Sequence, residues 1–207
     1  MRRMKLTHSR TAFDAVAVGA SAGGLMALRV AVAALPARFP AAVLIVQHLK
    51  PHHKSLLAEL LGHWTCLPVE GAVDGEKIRA GKVYIAPPDH HLLVSDGRLS
   101  LTRSERVHFA RPSIDVLFES VAASYKSRAI GVILTGAAGD GATGIRAVKG
   151  RGGTTIVQDP EGADHPSMPA HACATGCVDF TLPLVEIGPA IVRLVLGEDE
   201  GLARSVR

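Results

Sequence analysis

Aromatic side chains are nearly missing from this 207-residue chain: one Trp, two Tyr and five Phe make up 4% of it. That scarcity removes the stacking platforms on which single-stranded nucleic acids are held. It also means that the core, drawn from the 47% of residues that are hydrophobic, is built of Ala, Val, Ile and Leu. Charge of one sign is scarce too. The formal net charge is +4, and part of it sits in the terminal stretches MRRMKLTHSR and GLARSVR. No basic face of the kind that binds nucleic acid is visible, whereas a mildly positive rim suits an acidic protein partner. Long hydrophobic runs are absent. The uncharged stretch 15–28 is broken by glycines and too short to span a bilayer, and the N-terminus lacks an apolar segment with a cleavage site. No membrane insertion is expected. Three cysteines, Cys66, Cys173 and Cys177, cannot all pair. The last two are four apart with no second pair, a poor zinc pattern, and read as two thiols on one helix. A cytoplasmic location is expected.

What remains is an alternation of two patterns. Strands are predicted at 14–18, 42–46, 83–86, 130–134, 154–157 and 178–181, several of them continuous β-branched runs without alternation, as buried parallel strands are. Helices are predicted at 23–35, 56–61, 141–150, 167–175 and 184–196. Another follows Arg111-Pro112-Ser113, where Ile114, Leu117, Phe118, Val121 and Tyr125 form one apolar face. HLLVSDGRLSLT, with Asp96-Gly97 between alternating residues, predicts a β-hairpin. The expected fold is therefore α/β: a doubly wound, mostly parallel sheet with helices on both faces and one antiparallel hairpin. Residues 12–196 are expected to form one domain, with flexible termini at 1–11 and 197–207.

Ligands bind beyond the carboxyl ends of such strands. Three ends carry chemistry: Gly19-Ala20-Ser21-Ala22-Gly23, then Gln47-His48, then Thr135-Gly136-Ala137-Ala138-Gly139-Asp140-Gly141. A serine, a histidine and an aspartate on one sheet edge are what acyl transfer needs, as nucleophile, base and orienting acid. Each also has a plainer reading. Ser21 and Asp140 suit helix N-caps, and His48 is one of ten histidines. The G-x-S-x-G turn resembles a nucleophile elbow, although the chain order disfavours an α/β-hydrolase. A dinucleotide site is the runner-up. Its glycine spacing is wrong, however, and no acidic residue ends the second strand. GEKIRAGKV misses the P-loop spacing, and no Tyr-x-x-x-Lys follows either tyrosine.

Together VGASAGGLMAL, IVQHL, GKVYIAPPDHHLLV, RPSIDVLFESVA and GVILTGAAGDGATGI closely resemble the catalytic domain of CheB, the chemotaxis protein-glutamate methylesterase and glutamine deamidase. The resemblance runs from about residue 13 to 190 and implies Ser21 as nucleophile, His48 as base and Asp140 as orienting acid. It implies hydrolysis of glutamyl methyl esters on the cytoplasmic helices of chemoreceptors, with no cofactor and no metal. Ala22 and Ala137 are the expected oxyanion donors. Arg111 is expected either to steer an acidic receptor helix or to be an ordinary surface arginine. His52-His53 and His90-His91 read as solvated loop residues, the first pair near the cleft mouth.

Two departures stand out. The family turn T-G-M-G-x-D-G has Ala137 and Ala138 in place of its methionine and glycine, which predicts an altered substrate fit in a more constrained turn. Too few residues precede the first strand to hold the receiver domain that usually covers this site. Control by a separate receiver protein or a receptor methyltransferase is therefore expected, or an open site. A catalytically silent docking domain in a sensory array is the alternative from another class.

Overall fold

The computed structural model describes residues 13–48 and 55–198. In chain order the elements are β1 (Ala15–Ala20), α1 (Gly24–Ala33), β2 (Ala42–Gln47), α2 (Leu57–Gly62), β3 (Val69–Gly71), β4 (Val83–Ile85), β5 (His91–Ser95), β6 (Arg98–Thr102), α3 (Ile114–Tyr125), β7 (Ala129–Ile133), α4 (Ala142–Gly150), β8 (Thr154–Gln158), α5 (Ser167–Cys173), β9 (Phe180–Leu182) and α6 (Leu184–Leu196). Seven strands form one sheet in the order β3-β4-β2-β1-β7-β8-β9, and every pairing in it is parallel.

The apolar runs form strands because both faces of the sheet are covered. Successive residues of β1 feed opposite cores: Val16, Val18 and Ala20 join one with α1, α2 and α6, while Ala15 and Ala17 join another with α3, α4 and α5. Neither face meets water, so polar alternation has no role. After β1 the chain winds one way, to β2 and beyond. From β7 it winds the other way, to β8 and β9. The reversal between β1 and β7 opens a crevice at the carboxyl ends of the central strands.

The expected hairpin, β5–β6, forms a separate two-stranded sheet packed on α3. The edge strand β3 was not anticipated. One expectation needs correction. Helix α5 ends at Cys173, and Gly176 then turns the chain with φ 66°, so Cys177 lies beyond the helix and the two thiols do not share one. The expected flexible termini, apart from residues 197–198, and His52-His53 lie outside the described residues. Among the described residues no helix is long and apolar enough to cross a membrane, and no cluster of His, Cys, Asp or Glu could hold a metal ion.

Candidate active site

Ser21, His48 and Asp140 follow β1, β2 and β7, three adjacent strands, and they meet. Asp140 Oδ2 lies 2.9 Å from His48 Nε2, and Ser21 Oγ lies 3.1 Å from His48 Nδ1. A carboxylate only accepts, so Nε2 carries the proton and donates to Asp140. Nδ1 keeps its lone pair and accepts from the Ser21 hydroxyl. The carboxylate therefore selects the tautomer that leaves a base facing the serine. Burial is graded along this chain: the Asp140 side chain is 0% exposed and that of His48 17%. Substrate can reach the ring edge while water is kept from the acid.

The N-cap readings do not hold. Gly23 caps α1 and Gly141 caps α4, each with left-handed backbone and no side-chain cap bond. Ser21 is thereby left free to face His48. Asp140 does cap a helix, but a different one. It accepts from the backbone N–H groups of Ile114 (2.7 Å) and Asp115 (3.0 Å) at the start of α3, and from Ser113 Oγ at 3.0 Å. Asp115 returns the arrangement, its Oδ1 accepting from the N–H groups of Gly141 (2.9 Å) and Gly144 (2.6 Å) at the start of α4. Each helix thus has its exposed N–H donors met by the carboxylate that precedes or opens the other. Burial pushes the Asp140 carboxyl up, but the bonds from His48, Asp115 and Ile114 outweigh it and hold it below the usual carboxylate value. Asp115 is raised, chiefly by burial and also by the Asp140 charge, against the N–H groups of Gly144 and Gly141.

The turn around Ser21 is fixed from two sides. Gln47 Nε2 donates to the Ser21 carbonyl at 2.7 Å, and the Ser21 N–H donates to the Thr135 carbonyl at 3.0 Å. The start of α1, where a pyrophosphate would bind, is packed by Gln47, and a Cβ on Gly23 would lie 3.1 Å from a carboxylate oxygen of Asp164. Filled space and a nearby negative charge both oppose a dinucleotide there. The N–H groups of Ala22 and Ala137 make no hydrogen bond among the described residues. Gly136, next to Ala137, runs against the nucleophile: a Cβ there would sit 2.9 Å from Ser21 Cβ and 2.7 Å from Met168 Sδ. The Met168 tip can swing aside, but Ser21 cannot move without leaving His48. We expect Gly136→Ala to lower kcat/KM by about 10–100-fold through misplacement of the hydroxyl, with a stability cost of about 1–3 kcal/mol from overpacking. Steady-state ester hydrolysis and urea unfolding check the two halves. Neither Ala137 nor Ala138 has positive φ, so this turn does not need glycine at either place.

Arg111 is tied into the protein by its own bonds. Its Nε and Nη2 donate to Asp89 Oδ1 at 3.0 and 2.7 Å, and its Nη1 donates to the carbonyls of Arg103 and Ser104. It pins the 103–111 loop beside a cleft of about 270 Å³ that is also lined by His48 and Ala138. His91 is buried rather than solvated, at 0% exposed. Its Nδ1 accepts from the Ser113 N–H while its Nε2 donates to the Glu105 carbonyl. His90 donates to the Pro88 carbonyl and accepts from Arg103. Sequence reasoning missed Gln47, Ser113 and Asp115 as supports; the residue before His48 and the opening of α3 were their only visible marks.

The family model described as CheB methylesterase matches residues 16–191. A Leptospira interrogans protein is 40% identical over 183 residues, which is 88% of this chain and 95% of that protein. The protein-glutamate methylesterase/protein-glutamine glutaminase 3 of Burkholderia orbicola is 44% identical over 178 residues, 86% of this chain but only 52% of its own length. The crystal structure of the Thermotoga maritima CheB methylesterase catalytic domain superposes with a TM-score of 0.85 at 37% identity, covering 88% of this chain and 99% of that one. With the family model matching most of its length, the chain belongs to the CheB methylesterase family.

Proposed function

We propose that the protein hydrolyses glutamyl γ-methyl esters on the cytoplasmic helices of chemoreceptors, with Ser21, His48 and Asp140 as its catalytic residues. The observation that carries this is the unbroken hydrogen-bond chain from Ser21 Oγ through His48 to buried Asp140. His48 Nδ1 takes the hydroxyl proton as Ser21 Oγ attacks the γ-carbonyl. The imidazolium, with Asp140 against its Nε2–H, returns that proton to the departing methoxide and methanol leaves. Water enters, gives a proton to His48 and attacks the acyl-enzyme; the proton then returns to Ser21 and glutamate is freed. Both tetrahedral intermediates carry an oxyanion, for which the uncommitted N–H groups of Ala22 and Ala137 are the donors. The same acyl-enzyme, reached from glutamine with loss of ammonia, gives deamidation.

The sequence block 12–196 acts as one catalytic unit in this reading, in the cytoplasm, and a receptor methyltransferase or a separate receiver protein is its regulatory partner. Methanol release from methylated receptor membranes tests the activity, and labelling by a fluorophosphonate tests the serine. Release together with labelling at Ser21 is expected. A silent docking domain would release nothing and leave Ser21 unlabelled.

A further inference from the structure

We propose that Phe109 grips the acidic polypeptide flanking the target glutamate, as the apolar tip of a pinned cationic turn on the rim of the His48 cleft. This rests on the methylesterase reading above. Phe109 is 97% exposed, whereas Val185, the next most exposed large hydrophobic residue among those described, is at 69%. The ring stands in water on the rim of the cleft, where a bound polypeptide would cover it.

The backbone holds it there deliberately. His108 (φ 49°) and Phe109 (φ 62°) are both left-handed, a conformation bulky L-residues seldom adopt and which clusters at ligand clamps. They are the central pair of a turn closed by Val107 and Ala110, each N–H donating to the other's carbonyl at 3.2 and 2.9 Å. Four further contacts fix the turn to the body. Arg111 holds Asp89 and two loop carbonyls, His91 holds the Glu105 carbonyl, Arg103 donates to His90, and His108 Nε2 lies 3.3 Å from Asp115 Oδ2. Phe109, Arg106 and His108 then line the cleft together with His48 and Ala138.

Charge names the occupant. Arg111 is matched by Asp89, and Arg103 spends its Nε–H on a neutral ring. Arg106 is exposed and makes no ion pair among the described residues. Glu105 is the loop's single carboxylate. The outward face is therefore one aromatic ring among net positive charge, which fits an amphipathic segment bearing carboxylates and an apolar stripe. A small acetyl ester has no acidic flank for this turn to hold.

The test is fluorescence anisotropy with a labelled, acidic, amphipathic helical peptide whose target residue is free glutamate, so that nothing is turned over. Hydrolysis of p-nitrophenyl acetate is the control. Phe109→Ala and Phe109→Asn should each weaken peptide binding at least tenfold, while p-nitrophenyl acetate kcat/KM falls by a clearly smaller factor. The Asn variant, which tolerates left-handed backbone, should keep or raise Tm, and Phe109→Trp should bind within threefold of wild type. A peptide with lysines replacing its glutamates should not bind. Unchanged peptide Kd in both variants, a parallel fall in p-nitrophenyl acetate hydrolysis, or equal binding of the lysine peptide would overturn the proposal. Wild-type methanol release tests the methylesterase reading separately. A protein that releases none, yet whose Phe109 variants lose the peptide, would sink that reading and uphold the grip.

Discussion

Asp140→Asn is expected to lower kcat/KM for ester hydrolysis by about 10³–10⁴-fold and, unlike most active-site substitutions, to weaken the fold as well. The activity loss follows from the tautomer. Only an acceptor at Oδ2 keeps the His48 proton on Nε2 and the lone pair on the Ser21 side. The asparagine amide, if it turns its NH₂ to the ring, selects the other tautomer and leaves no base facing the serine. If it turns its oxygen to the ring, the NH₂ faces the Ser113 hydroxyl and the Asp115 N–H instead. Two donors then meet in a buried space, at a cost of about 2–4 kcal/mol once the lost charge and lost cap are included. Urea unfolding of the two proteins at pH 7 reads the second effect; methanol release reads the first.

The pH dependence carries a sign. Asp140 is held below its ordinary value of 3.8, so its ionised form stabilises the fold above that value and the contribution is lost as pH falls through the depressed one. Asp115 is raised above 3.8, so its ionisation weakens the fold as pH climbs from the ordinary to the raised value. Asp140→Asn should therefore flatten the acid limb of a stability–pH curve, because the acid-side loss carried by its depressed carboxyl goes with it.

Ser21→Ala should have the larger effect on turnover and almost none on stability. Without the hydroxyl no acyl-enzyme forms, and release should fall on the order of 10⁴-fold or more. The hydroxyl makes one side-chain hydrogen bond, to His48, and is only half-buried. Unfolding free energy should move by less than about 1 kcal/mol. Retained full activity in this variant would remove Ser21 from the mechanism. The contrast between the two substitutions separates a group that acts in the chemistry from one that also holds the scaffold.

The strand ends were legible because their cause is local. A parallel strand buried on both faces reads as an uninterrupted apolar run, and where the run stops the turn begins. Ser21, His48 and Asp140 could be found that way, with the resemblance selecting the same three. β3 was not legible: Val69, Glu70 and Gly71 are partly or fully exposed, and they form a strand only because β4 offers a free edge. The alternation of β5 and β6 showed that they pair, yet no local pattern says which sheet a hairpin joins. Ser113 was visible only as the residue before α3, and its hydroxyl goes to Asp140 rather than to its own helix. Arg111 could be named from the sequence but not its partner Asp89, 22 residues earlier in the chain. In each case the missing term is a contact between distant segments.

The exchange of carboxylates between α3 and α4 has a consequence for how this protein tolerates change. The acid that orients the imidazole is also a fastener between two helices, so damage at position 140 or 115 would surface first as poor yield or loss to proteases. A mutational survey that keeps only well-expressed variants would under-sample the carboxylate on which the proposed reaction relies. Silencing the chemistry while sparing the scaffold is easiest at the serine, where the two duties do not overlap.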